Sequence, residues 1–265
     1  MILMGEEMRE MVLQEVQREM LINMLAQGKR MDEREKYGYR KVNVQKGVLT
    51  TAEGSALAQI GDSKVLCGVK FGEMTPFADR PTEGVFMVMA EFLPLASPVF
   101  EPGPPSPESI ELARVVDRGI RSAEVIDTKS MFIAEGKVLA IFIDLYVMDH
   151  GGNLTDTAAL AAAAALSDTK VPKVVDNKIV RGDYVGPLNL PDKPLTCTFI
   201  KVGDHLLLDP LREEERAAEC QLTVGTVDGY VVCMQKSGTG SLKKSDVMEC
   251  VDVALKKGNE LRDLI

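Results

Sequence analysis

The sequence predicts an α/β (α+β) protein built from two pseudo-related halves behind an N-terminal helix. Three observations lead there. Short β-branched runs followed by helical periodicity occur twice, a proline-marked stretch separates the repeats, and an alanine-rich segment has the small side chains of a helix pressed against a sheet. The boundaries expected are 1–28 for the N-terminal helix, 29–168 for the first half, 169–194 for a connector and 195–265 for the second half. The 265 residues suffice for a sizeable core.

Glu6–Gln27 reads as one helix ended by Gly28, with Met8, Val12, Val16, Leu21 and Leu25 broadly along one side. Strands follow at Lys41–Val48, Ser55–Ile60 and Lys64–Lys70, punctuated by Glu53-Gly54 and Gly61-Asp62. Val85–Glu91 is a further strand, followed by a proline-rich loop and a helix over roughly Ser106–Ser122. Lys137–Met148 reads as a long apolar strand and Thr157–Leu166 as a buried helix. Pro187, Pro191 and Pro194 mark the connector. Strands resume at Leu195–Val202, His205–Asp209, Cys220–Val227 and Gly229–Lys236, and a helix over about Ser245–Leu261 closes the chain.

Composition narrows the function classes. A net charge of −9 argues against a protein that coats nucleic acid, leaving room only for a local basic stripe. Aromatics are 5% of the chain and Trp is absent, which disfavours an interleaved stacking platform. The five cysteines are scattered without a CxxC pair, as expected of reduced, mostly buried thiols in a cytoplasmic protein. With His150 and His205 the only histidines, a Cys/His zinc site is not expected, nor is a cofactor. The opening residues lack the uninterrupted apolar core of a signal peptide, and no stretch of about 18 apolar residues suggests a membrane span.

The helix near Ser106–Ser122 carries the clearest signal. Ser106 is placed to cap it, Pro107 suits the first turn, and Glu108 and Glu111 oppose the positive dipole end. Leu112, Val115, Val116 and Gly119 make an apolar stripe. Arg114, Arg118 and Arg121 fall together opposite it, at steps of four and three, as a row of phosphate-matched guanidinium forks. By pattern alone such a face reads as solvated, with Glu111 and Asp117 pairing the arginines.

Three stretches then resemble the RNase PH family (ribosomal protein S5 domain 2-like fold). Gly28-Lys29-Arg30-Met31-Asp32-Glu33-Arg34 with Tyr39-Arg40 resembles the family's opening signature, and Gly54 through Val65 its following hairpin. Pro107 through Gly119 is similar to the helix of the non-catalytic RNase PH-like subunits of the archaeal exosome core ring. The resemblance implies a 3'-to-5' phosphorolytic RNA-degrading complex, in which phosphate attacks the last linkage and a nucleoside diphosphate leaves. It also implies a hexameric ring, a trimer of heterodimers with a catalytic paralogue, joined by RNA-binding cap proteins and threaded by single-stranded RNA. Arg114 and Arg118 match the family positions that grip RNA phosphates, and Arg121 lies one turn further.

The same resemblance implies lost catalysis. In Gly151-Gly152-Asn153-Leu154-Thr155-Asp156-Thr157-Ala158, Thr155 stands where active members have the phosphate-binding arginine and Asp156 where they have a small hydroxyl. A carboxylate there caps a helix but repels an anion. In the run beginning Asp209-Pro210-Leu211-Arg212, Glu215 matches the first catalytic aspartate and Gln221 the second. An amide cannot act as a base. No catalytic residue is therefore assigned to this chain. The rivals are a divergent exoribonuclease active by itself, with Glu215 replacing aspartate, and a structural ring spacer. Asp209, Glu213, Glu214 and Glu215 read as solvated caps rather than metal ligands, His150 and His205 as loop or hairpin residues, and Ser237–Ser241 as a cap for the last helix.

Overall fold

The computed structural model describes residue 16 and residues 18–265. Of the expected N-terminal helix, Glu6 to Glu15 and Gln17 lie outside these. Residues 18–26 are helical and form α1. Leu21 and Leu25 are buried against Ile200, Val202, Leu207 and Ala217 of the second half, whereas Val16 is 59% exposed and does not join that face. Gly28 ends the helix at φ 72°, and the Lys29 N–H returns to the Met24 carbonyl at 3.0 Å.

The first half is a sheet in the order β1-β2-β3-β6-β4, with β1 at Val42–Lys46, β2 at Gly54–Ile60, β3 at Ser63–Met74, β4 at Val85–Phe92 and β6 at Lys137–Asp149. Short β5, Phe132–Ala134, also pairs with β6. Neighbours run antiparallel except β4, which is parallel to β6. The second half is an antiparallel sheet in the order β10-β9-β11-β12: β9 Leu195–Val202, β10 His205–Leu208, β11 Cys220–Val227 and β12 Tyr230–Gly238.

Helix α3, Leu154–Asp168, packs on β2 and β3 of one sheet and β9 of the other, so every residue from Asp156 to Leu166 is buried. Its alanines permit that approach. A Cβ at Gly54 of β2 would come 2.1 Å from Thr169 Oγ1 and 2.5 Å from the Ala165 carbonyl. The helix begins three residues before the expected Thr157 because Asn153, at φ 54°, accepts the Asp156 N–H on its side chain. Helix α2, Pro107–Ser122, lies on β4 and reaches across to β12, and α5, Lys244–Arg262, covers β9 and β11.

The segment expected as a plain connector forms a two-stranded antiparallel sheet, β7 Lys170–Val175 and β8 Lys178–Pro187. Asp176 and Asn177, both at positive φ, make the tight turn between them. The Ser237–Ser241 stretch does not cap α5: the Lys243 N–H donates to Asp246 Oδ2 at 3.0 Å instead, while Gly240 packs on Glu219. Helix α4, Arg212–Ala217, is a single short element between β10 and β11.

Candidate nucleic-acid interface

Helix α2 forms as its sequence dictates. Ser106 Oγ accepts the Ser109 N–H at 3.2 Å, Pro107 occupies the first turn, and Leu112, Val115, Val116 and Gly119 are buried. Arg114, Arg118 and Arg121 all lie on the other side, but their surroundings divide them. Arg121 donates to both Asp117 oxygens at 2.7 and 3.1 Å, and its guanidinium lies 4.0 Å over the Phe86 ring. For this residue the paired, solvated-face reading holds. Arg118 donates to Gln235 Oε1 of β12 at 2.7 Å, and neither it nor Arg114 has a carboxylate partner among the described residues. Arg114, Arg118 and Gln235 line one groove of about 390 Å³, which Arg121 does not reach.

On the other flank of α2 is a cleft of about 320 Å³. It brings together Thr155, Glu215 and Gln221, far apart in sequence, with Glu108 and Glu111 of α2. No arginine or lysine lines it, so the cleft offers an incoming phosphate hydroxyls, amides and carboxylates but no cation. Burial pushes the Glu215 carboxyl up to about 7, although Arg40 and a 2.7 Å hydrogen bond from the Asn153 N–H oppose the rise. His150, expected as a plain loop residue, is part of the cleft wall, stacked on Phe100 with ring centroids 5.6 Å apart and planes at 11°. Burial, then Arg212, Arg216 and Arg40, push its imidazole down to about 4, so it is neutral at pH 7.

Asp156 is not at the cleft surface. Its Oδ2 accepts from Tyr39 Oη, Asn153 Nδ2 and the Thr198 N–H at 2.8–2.9 Å, and its Oδ1 from the hydroxyls of Thr196 and Thr198 at 2.9 and 2.7 Å. Burial still raises its pKa against these bonds. The expected repulsion of an anion at this position is thus replaced by a structural role: the carboxylate ties the start of α3 to β9.

The acidic run of α4 differs from the solvated cap expected. Asp209, at 0% exposure, accepts from Arg34, from Arg40 through its N–H, Nε and Nη2, and from Asn153 Nδ2 at 2.7 Å. Burial pushes the Asp209 carboxyl up, but the Arg40 bonds and charge outweigh it and hold the group below its ordinary range. Glu214, also at 0% exposure, pairs with Arg30 at 2.5 Å. Arg40 further donates to the carbonyls of Gly151 and Gly152, so one guanidinium fastens the turn before α3 to the loop before α4. The arginines of the opening motif are therefore structural anchors of the cleft, a role that sequence spacing did not reveal.

This fold, with its paired cleft and arginine groove, is that of the 3' exoribonuclease family: its domain 1 matches residues 38–172 and its domain 2 residues 192–257, and the chain belongs to that family. Within it, the chain is similar to exosome complex component Rrp42 of Thermococcus kodakarensis, 43% identical over 96% of each chain. To the Rrp42 of Methanocella arvoryzae it is 44% identical over 97% of this chain and 98% of that one. Among solved structures, a chain of the Archaeoglobus fulgidus exosome with RNA bound to the active site superposes with a TM-score of 0.88 at 43% identity, covering 95% of this chain and 98% of that one. A chain of an archaeal exosome core gives 0.84 at 39% identity, covering 96% and 98%. Rice Rrp46, at 18% identity and a TM-score of 0.67 over 88% and 96%, shares the fold.

Proposed function

We propose that this chain is the non-catalytic, RNA-contacting subunit of a cytoplasmic exosome core ring. There it alternates with a catalytic RNase PH-like paralogue and carries RNA-binding cap proteins. Similarity to Rrp42 proteins over nearly the whole chain supports membership of the complex. The observation that carries the non-catalytic reading is the cleft: Thr155 and Gln221 stand where phosphorolysis needs an arginine and an acid, and no cation lines the walls.

Arg114 and Arg118 supply the RNA contact. Their groove presents two guanidinium groups without carboxylate partners, set to bind backbone phosphates and fix register without reading bases. Arg121, held by Asp117 and Phe86, contributes less. The phosphate site and acid–base groups come from the paralogue. The rival reading, a self-sufficient nuclease using Glu215, draws on that carboxyl's value of about 7, close to what a general acid requires. It lacks a cation for the attacking phosphate. Phosphate-dependent release of nucleoside diphosphate, measured for the purified chain alone and with its paralogue, separates the two. Release only with the paralogue is expected; release by the chain alone would overturn the proposal.

A further inference from the structure

Most arginines of the described residues face a carboxylate or, like Arg262, are buried against neutral acceptors. Besides Arg114 and Arg118, the exceptions are Arg212 and Arg216. These lie four residues apart on α4, so both project from one side of it. Neither side chain has an ion pair or hydrogen bond among the described residues, and Arg216 is exposed and Arg212 half-buried. The acids beside them are engaged elsewhere. Glu214 is held by Arg30, Glu215 accepts from Asn153, and Asp149 pairs with Lys64 at 3.2 Å, leaving exposed Glu213 alone on the next helical position.

Position makes the pair informative. Helix α4 provides Glu215 to the cleft opposite α2, and its first residue packs on the turn before α3: a Cβ at Gly152 would sit 2.6 Å from the Arg212 nitrogen. Both arginines are near enough to the neutral His150 to help depress its pKa. Beside them, the cleft wall carries an aromatic row. Phe92 lies 4.7 Å from Phe100, and Phe100 is stacked on His150. Unpaired cations next to flat, uncharged rings match a single strand's phosphates and bases.

We propose that Arg212 and Arg216 form a second phosphate-contacting patch on the far rim of the cleft, and that the cleft takes a base of single-stranded RNA against His150 and Phe100. The cleft without a phosphate site is then a holding site rather than an empty remnant. This rests on the reading of the chain as an RNA-contacting subunit.

The test uses the ring reconstituted from the full chain and its paralogue, with labelled oligoadenylate and binding measured across salt concentrations. Each phosphate of a single strand that a protein cation neutralises contributes about 0.7 to the slope of log affinity against log salt. Arg212→Gln with Arg216→Gln is expected to lower that slope by about 1.4, and the double Arg→Lys variant to keep it. His150→Ala is expected to weaken binding about fivefold or more with the slope unchanged, because stacking carries no counterion release. An unchanged slope in the glutamine variant overturns the phosphate patch, and unchanged affinity in His150→Ala overturns the base site. If Arg114→Gln with Arg118→Gln still lowers the slope, the proposed function stands without this addition. If neither double variant moves it, that reading fails as well.

Discussion

Replacing Asp209 by alanine removes the centre of the joint between the two halves. The carboxylate accepts from both Arg34 and Arg40, with bonds of 2.7 to 3.0 Å, and from Asn153, all around a side chain with 0% exposure. Without it, the Arg40 guanidinium, whose side chain is 8% exposed, loses its carboxylate partner, while Arg34 keeps its second one, Asp32. Breaking a buried pair from one side costs about 3–5 kcal/mol, since the stranded charge cannot return to water. At about 2–4 °C per kcal/mol for a chain of this size, the melting temperature is expected to fall by about 6–20 °C. The effect has a definite pH dependence. The Asp209 carboxyl is held below its ordinary range, so its stabilisation is present above about pH 4 and is lost as pH falls through the folded value. Wild type and variant are therefore expected to converge in acid. Calorimetric melts at pH 7 and at pH 3 measure both points. A shift under about 2 °C at pH 7, or a difference undiminished in acid, would refute the ion-pair account.

Glu215 titrates in the opposite sense: its folded value of about 7 lies above the ordinary 4.5, so its contribution is fully present below 4.5 and is lost as pH rises through 7. Glu215→Gln is expected to flatten the decline in melting temperature between pH 5 and 8, and an unaltered profile would contradict the burial. Gly54→Ala places a methyl against Thr169 and a backbone carbonyl of α3, and denaturant titration is expected to show a loss of about 1–3 kcal/mol or more. Arg121→Ala leaves the arginine groove intact, so RNA affinity of the assembled ring is expected to change less than about twofold. A loss equal to that from Arg114→Ala would show that the Asp117 and Phe86 contacts do not restrain it.

Local features were legible in the sequence. The cap, apolar stripe and arginine face of α2 repeat at helical spacing within a single short segment and need no partner to form. The β7–β8 hairpin is hidden in the sequence because Pro172, Pro187 and a second strand exposed at nearly every position resemble a loop. Asp176-Asn177 between Val-Val and Lys-Ile-Val was the available signal. The anchoring of Asp209 by Arg40, 169 residues earlier, and of Glu214 by Arg30, 184 residues earlier, has no local signature. Consecutive glutamates looked like a solvated cap because sequence shows charge without burial. Thr155, Glu215 and Gln221 were found through resemblance, whereas their meeting with Glu108, Glu111 and His150 depends on how the two halves dock.

The proposed role of Arg114 and Arg118 is to hold RNA for a neighbour's chemistry. The most direct measurement is RNA affinity and phosphorolysis by a ring reconstituted with Arg114→Glu and Arg118→Glu, after its size confirms assembly. Both side chains lie on the face of α2 turned away from the core, so assembly is expected to survive while RNA affinity falls about tenfold or more and phosphorolysis falls with it. Intact rings that bind and degrade RNA as the wild type does would contradict the account and leave the chain a structural spacer.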